Sequence, residues 1–578
     1  MRTPSGPHAT LDSSGSKQSW GRNIWSKESA CTLAVLVFAV LLQLQSFDRS
    51  IVPMDEGHLA ALASWMASGK ALYRDLHTGI FPGIYQLTTL LFAVFGDDLL
   101  VTRWAQVAVN AAIAVCLWLT GVRIMPRGWA VVAPALYLAL IPMSFPVLAM
   151  FNYSSLALAL CMTSLYLLID LLDKGRMSSA IGLGVTLALG VFCKQNFGAL
   201  AFAAVLIGLL WNRRHSRLAD RGWIAILLPI ASSGLAITLV FTIYFVATGT
   251  SMDFISATMI QLGGDQLESF NNPIPPVLGY HPLEDPRFVF LYSPPYLFNK
   301  MHHGEPLLGI QVDTAVQSIA IRLSYGIALA TLFMTLVMGW FRVGSSSARD
   351  RRDVRVVGIF ALLFSLGIFP SAIWSHLAFV LPPILLAAGL LAARCDAALK
   401  QRAGIGSNAL RCGVAALVVA GSIAGVAASA DIARWHSTPL ELPRADLQVS
   451  PGQAELYRNA VAFVNRCAAD DEAIFVAPYM PVVYFLTGRS NVSRYDLTIP
   501  GNVLGHRIIE SLESSQTRCI VYNPVMYPEF APFRQLFPKL NLYIETNYRM
   551  MEKIQGGGET WLGLLRKGAS AHRAAKMQ

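Results

Sequence analysis

The sequence predicts a polytopic α-helical membrane protein with about eleven transmembrane helices and a C-terminal extracytoplasmic α/β domain. Three observations predict it. The 578 residues are 54% hydrophobic and 14% charged, with a mean hydropathy of +0.49, which excludes an ordinary soluble protein. Charge-free runs close to the roughly 20 residues that cross a bilayer recur between Ala30 and Ala430. From about Asp431 onward, short helix and strand patterns replace them. A net charge of +10 would suit a nucleic-acid partner only if the basic residues shared a face; they are scattered between apolar runs, and no nucleic acid is expected. Eight cysteines without a C-x-x-C pair or metal-ligand cluster set cysteine chemistry aside.

Residues 1–27 are polar and rich in Ser, Gly and Pro, with no cleavage-site pattern, and read as a disordered cytoplasmic tail. The first span is Ala30–Phe47. Later runs are Trp104–Val122, Gly128–Ile169, Trp223–Ala247, Leu323–Phe341, Val356–Ser375, Leu377–Ala393 and Gly413–Ala430. The run from Gly128 is long enough for two spans and must fold back near Phe145-Pro146 and Asn152-Tyr153-Ser154. Between Arg176 and Arg213 the single charge is Lys194, in Cys193-Lys194-Gln195-Asn196-Phe197-Gly198, a tight turn between two helices. Alternate connections hold the basic residues (Arg123 and Arg127, Lys174 and Arg176, Arg213 to Arg221, Arg342 to Arg355, Arg394 to Arg411), which puts the N-terminus in the cytoplasm and the C-terminal domain outside the cell inner (plasma) membrane.

The expected domains are therefore a membrane part, residues 28–430, with outer loops at about 48–100 and 248–313, and an outer α/β domain, residues 431–578. In that domain Gln453–Ala468 and Asn502–Ser514 read as helices, and Ala473–Ala477 and Arg518–Asn523 as strands. Tyr484 to Arg489 reads as a strand-to-turn element. Cys467 and Cys519 are allowed to pair in an oxidising compartment. The second outer loop, with Pro273, Pro275-Pro276, Pro282, Pro286 and Pro294-Pro295 among Tyr280, Tyr292 and Tyr296, is long enough to serve as a lid. His302-His303 lacks the spacing of a zinc site.

The first outer loop is the most informative stretch. Asp55-Glu56-Gly57-His58 follows the first span at once, and Asp55 is placed to cap a helix whose Leu59, Leu62, Ala63 and Met66 form a stripe fit for the membrane interface. Gly69, Tyr73-Arg74-Asp75, a second short helix opening at Pro82-Gly83-Ile84-Tyr85, Gly96 and Arg103 come next. This order resembles the first loop of the GT-C membrane glycosyltransferases, in the branch of protein O-mannosyltransferases and the lipid A aminoarabinose transferase. Weaker similarity lies at Lys194-Gln195 and Leu486-Thr487-Gly488-Arg489. The resemblance implies a GT-C-like helical bundle with a catalytic outer loop. It also implies a polyprenyl-phosphate sugar donor in the bilayer and a glycan, lipid or protein acceptor.

Such a transfer needs a base for the acceptor hydroxyl and a cation at the departing phosphate. From the family's catalytic acidic position, Asp55 is the expected base, with Glu56 orienting the acceptor or helping to hold a divalent cation. Any metal would fall to Asp55 or Glu56. One base and a phosphate leaving group suggest inversion, since a retaining carboxylate pair lies about 5 Å apart across the sugar. Lys194 is the expected ligand of the donor phosphate, because an ionisable group at membrane depth is costly; Arg74 and Arg103 are further candidates. His58, Tyr85, Gln195 and His376 complete the residues expected at the substrate. The alternative is a transporter or flippase of lipid-linked sugars, which would bury several charges at mid-span.

Overall fold

Helices form where the charge-free runs lie because, in lipid, every backbone N–H and C=O must be satisfied within its own segment. The structure, a computed structural model, describes residues 27–260, 271–278, 286–307, 309–340, 347–402, 404–499, 505–525 and 531–569. Residues 1–26 of the expected tail, and Tyr280 and Pro282 of the expected lid, lie outside the described residues.

Helix α1 (Lys27–Gln43) leads into the first loop, which carries α2 (Asp55–Ala67) and α3 (Gly83–Phe95). The bundle continues with α4 (Leu99–Ile124), α5 (Val132–Met143), α6 (Tyr153–Lys174), α7 (Met177–Cys193), α8 (Gln195–Asn212) and α9 (Trp223–Thr248). After the second loop come α10 (Thr314–Trp340), α11 (Ala348–Ser365), α12 (Trp374–Arg402) and α13 (Gly404–Trp435). Among the described residues, seven helices are long and apolar enough to cross a membrane, and four apolar helices are shorter. The long run breaks where its polar residues stand: the Asn152 side chain accepts from the backbone of Ser154 and Ser155 and so caps α6.

The core of the bundle lies around α6, which packs on α4, α7 and α8. A neutral polar network ties four helices together beneath the first loop. Asn110 donates to Gln43 and to the Leu148 carbonyl, both at 2.8 Å, while Tyr137 donates to Asn110 at 2.8 Å and Ser155 to Gln106 at 2.8 Å. Each amide is satisfied, so the network fixes the register of α1, α4, α5 and α6 rather than weakening the core. At the other end of the bundle, about 20–25 Å away along α4, the basic connections close on acids: Arg123 and Lys174 on Asp170, Arg349 and Arg352 on Asp173, and Arg411 on Asp396.

The C-terminal α/β unit holds helix α14 (Pro451–Cys467), strand β1 (Phe475–Ala477), helix α15 (Val482–Thr487) and strands β2 (Cys519–Tyr522), β3 (Tyr548–Gly556) and β4 (Glu559–Arg566). The sheet order is β1-β2-β4-β3, with β1 and β2 parallel and the other pairs antiparallel. The β3–β4 hairpin has no counterpart in the sequence expectation. Its turn is set by Gly557 and Gly558 at φ 59° and 82°, a conformation other residues rarely adopt. Tyr484 to Arg489 is a correction: Val482–Thr487 is helical and stops at Gly488 in the left-handed region, not a strand. Cys467 and Cys519 form a disulfide, Cα atoms 5.7 Å apart, that joins α14 to β2. Cys467→Ser should lower the stability of this unit by about 2–4 kcal/mol, read as faster hydrogen exchange of β1 and β2 amides.

The unit sits directly on the first loop. The stripe expected to face lipid is instead inside the protein: Leu59, Leu62 and Ala63 are buried because α15 lies across α2. Gly57 permits the approach, since a Cβ there would stand 2.3 Å from the Val482 nitrogen. Helix α3 keeps an apolar exposed face of Leu90, Val94 and Phe95. The described part of the second loop is tied to the end of α13, where Lys300 meets Glu305 and Asp431 at 2.9 and 2.8 Å and Arg434 meets them at 2.7 and 2.9 Å.

Candidate active site

The first turn of α2 is held from below. Glu56 is buried and takes a bidentate grip from Arg103 of α4, with Nη2 2.7 Å from Oε2, while the Val52 amide donates to Oε2 at 3.1 Å. Arg103 also donates to the carbonyls of Phe47, Arg49 and Ser50. The structure thus departs from the expected roles of both residues. With 0% of Arg103 and 1% of Glu56 exposed, the guanidinium cannot reach a donor phosphate and the carboxylate has no free face for an acceptor or a cation. Their chemistry is that of a buried ion pair that shapes the loop.

Neighbouring helix residues point about 100° apart, so pinning Glu56 inward turns Asp55 to another side. The residue before the helix is Met54, and Asp55 makes no side-chain cap. Asp55 therefore does not cap α2 as expected, and its carboxylate is left for other work. It shares a face with His58 at i+3. Burial raises the Asp55 carboxyl above its usual range, and the charges of His58 and Lys194 pull it part of the way back.

Lys194 occupies the break between α7 and α8. Its Nζ donates to Ser154 Oγ at 2.8 Å and lies 4.0 Å from the Phe197 ring centroid and 5.4 Å from that of Tyr153. Burial lowers the Lys194 ammonium to about 7, against the pull of Asp55. Gly198 lets α8 fold back on α7 this tightly, because a Cβ there would stand 2.2 Å from the Val191 nitrogen. Next to it, Gln195 donates to the Gly79 carbonyl at 2.8 Å, tying the turn to the first loop, and its Oε1 is buried with no hydrogen-bond partner among the described residues.

On the other side of Asp55, His58 Nδ1 lies 2.7 Å from Asp496 Oδ2, and Nε2 lies 3.0 Å from the Tyr85 hydroxyl, which is 2.7 Å from Thr78 Oγ1. His376, at the start of α12, bonds the Ser371 carbonyl through Nδ1 at 2.6 Å and is within electrostatic reach of Lys194. Six residues from five parts of the chain thus meet: Asp55, His58, Tyr85, Tyr153, Lys194 and His376. Arg74 is not among them. It is mostly exposed, pairs with Asp75 at 3.3 Å, and lines a separate groove with Lys70, Arg494 and Arg507. Among the described residues, no three His, Cys, Asp or Glu side chains converge on a point that could hold a cation. With Glu56 committed to Arg103, the residues expected to hold a metal do not fit one.

Sequence reasoning missed Asp496 and Tyr153. Tyr153 stood in the expected fold-back, where only its turn character was legible. Asp496 had no local signal, since it meets His58 across 438 residues of chain.

Residues 81–245 match the family model of dolichyl-phosphate-mannose-protein mannosyltransferase. They span α3 to α9 and include Tyr85, Tyr153 and Lys194. No curated protein matches the chain in sequence. Among solved structures, ArnT from Cupriavidus metallidurans in the apo state superposes with a TM-score of 0.54 at 12% identity, covering 93% of this chain and 98% of that one. The chain has the GT-C fold. Less close overlaps are the apo oligosaccharyltransferase of Archaeoglobus fulgidus, TM-score 0.49 at 11% identity over 94% of this chain and 75% of that one. The arabinofuranosyltransferase AftD from Mycobacteria gives 0.47 at 14% identity over 94% and 42%. In this GT-C chain the acidic end of the first loop, the Lys194 turn and the α/β unit all gather at one end of the bundle.

Proposed function

We propose that the protein is a membrane glycosyltransferase. It moves a sugar from a polyprenyl-phosphate donor to a hydroxyl of a glycan, lipid or protein on the extracytoplasmic face, with the N-terminus in the cytoplasm and the α/β unit outside. The observation that carries this reading is that a carboxylate with no side-chain hydrogen bond among the described residues, Asp55, and a buried ammonium, Lys194, lie within reach of each other's charge at one end of an apolar bundle. That pair supplies what the transfer requires: a base for the incoming hydroxyl and a cation for the departing lipid phosphate. The hydroxyl gives its proton to Asp55, its oxygen forms the new bond to the sugar, and the phosphate leaves towards Lys194. A single carboxylate opposite a phosphate leaving group favours inversion at the sugar carbon.

The carrier alternative is less well supported. Trp104–Val122, Ser154–Ile169 and Leu377–Ala393, in three helices of the core, hold no Asp, Glu, Lys or Arg at all, whereas a carrier of lipid-linked sugars should bury several ionisable groups at mid-span.

Purified protein in lipid, given labelled polyprenyl-phosphate sugars and candidate acceptors, tests the reading. Lys194→Met should raise KM for the donor by about 10- to 100-fold, the worth of one charge-assisted hydrogen bond of about 1.5–3 kcal/mol. An unchanged KM would remove Lys194 from the donor site. Donor movement across liposomes with no transfer to any acceptor would favour the carrier.

A further inference from the structure

We propose that the C-terminal α/β unit completes the catalytic end of the bundle by supplying Asp496 as a positioning residue, which sets the His58 imidazole, and through it the Tyr85 hydroxyl, beside Asp55. The proposal rests on the glycosyltransferase reading for its consequence, but its geometry stands apart from it.

The contact is built, not incidental. Asp496 is 2% exposed, and its ion-pair partner is His58. A carboxylate removed from water is costly unless paired, so the fold keeps it for that imidazole. The segment that carries it is fastened on both sides. The His77 amide donates to the Arg494 carbonyl at 2.9 Å on the first loop. On the sheet side the Thr498 amide donates to the Pro478 carbonyl at 2.6 Å, and Asn491 Nδ2 donates to the Tyr495 carbonyl at 2.7 Å.

An ionised carboxylate only accepts, so the proton at that contact sits on His58 Nδ1. This fixes the ring and turns Nε2 to Tyr85, whose hydroxyl is held from its other side by Thr78. Asp496, His58, Tyr85 and Thr78 form one chain of contacts from the sheet into the site. The titratable groups facing it are Asp55 on the same helix, His77 in the first loop, Tyr153 at the head of α6 and Tyr484 of α15, with Lys194 on the far side of Asp55. Burial alone would lower the His58 pKa, but the charge and hydrogen bond of Asp496, with the charge of Asp55, raise it instead. A ring fixed in orientation thus stands next to Asp55, and a residue of the α/β unit holds it there.

A plain structural pin would make the same contacts, so the test must separate the two. In the lipid-reconstituted full chain, Asp496→Asn should lower kcat by about 10- to 100-fold with donor KM within about twofold of wild type. His58→Gln should give a similar loss, and the double variant no further loss, as for two members of one unit. Asp496→Glu should recover part of the activity. An unaltered kcat in Asp496→Asn, or losses that multiply in the double variant, overturns the proposal. Should Asp496→Asn fail to fold, the double variant, which removes both charges and leaves an amide pair, decides: full activity there overturns it. Histidine NMR gives a readout free of activity, with His58 Nδ1 protonated in wild type and its signal shifted in Asp496→Asn. If wild type transfers no sugar, the functional reading falls, while an NMR signal indifferent to Asp496 sinks the positioning role alone.

Discussion

Asp55→Asn should abolish sugar transfer in a protein that still folds. Among the described residues the carboxylate makes no hydrogen bond that an amide would break, and Glu56, which holds the turn, is untouched. What is lost is the proton acceptor, a general-base contribution of about 10²–10⁴-fold in kcat. Donor binding should persist, because Lys194 keeps its seat on Ser154. The pH profile of kcat/KM follows from the same two groups. Asp55 works ionised and its carboxyl is raised by burial, so the rate falls as pH drops through a value above the ordinary carboxylate range of about 4. Lys194 works charged and is lowered to about 7, so the rate falls again as pH rises through that region. Lys194→Met should flatten the alkaline limb and move the acid limb to higher pH, because the ammonium no longer lowers the Asp55 carboxyl. Transfer by Asp55→Asn at the wild-type rate would remove Asp55 as the base.

The second large effect is on folding. Glu56→Gln leaves the Arg103 guanidinium charged, buried and without its counter-charge, and Arg103→Met leaves Glu56 in the same position. Breaking a buried pair from one side costs about 3–5 kcal/mol, enough to deplete the folded protein in a membrane extract. The double replacement Glu56→Leu with Arg103→Met should cost less than either single change, because no charge is then stranded. Thermal unfolding of the purified variants checks this; equal stability of single and wild-type proteins would contradict the pairing. The same pair explains why adjacent acids in one motif differ: Glu56 is bound to Arg103 and the loop backbone, while Asp55 is turned to another side.

The bundle was legible in the sequence because hydropathy is a local property. Each charge-free run reports its own helix, and Asn152 and Lys194 mark breaks by their own polarity. The two candidate residues came from different signals: Asp55 from the position of its acidic motif in a loop order that resembles the GT-C family, and Lys194 from being an ionisable residue where charge is expensive. What failed were inferences about partners. Leu59, Leu62 and Ala63 look the same whether lipid or α15 covers them. Arg103 looks like a free cation until Glu56 is placed against it. Asp496 lies in a polar stretch with no period or motif, and only the packing of the α/β unit on the first loop gives it a role. The β3–β4 hairpin was missed although its Gly556-Gly557-Gly558 turn stands in the sequence, because its strands do not alternate cleanly.

The span of 438 residues between His58 and Asp496 also orders events during synthesis. At roughly 5–20 residues per second, translation from one to the other takes on the order of 20–90 s. Throughout that interval the acidic turn has already been made, but its cover has not. A chain that stalls or is clipped before Asp496 carries the motif from Asp55 to Arg103 and lacks the wall around it. On the positioning role proposed for Asp496, the first loop waits on the α/β unit: His58 has no carboxylate to set it until the segment that carries Asp496 has been made and packed against it.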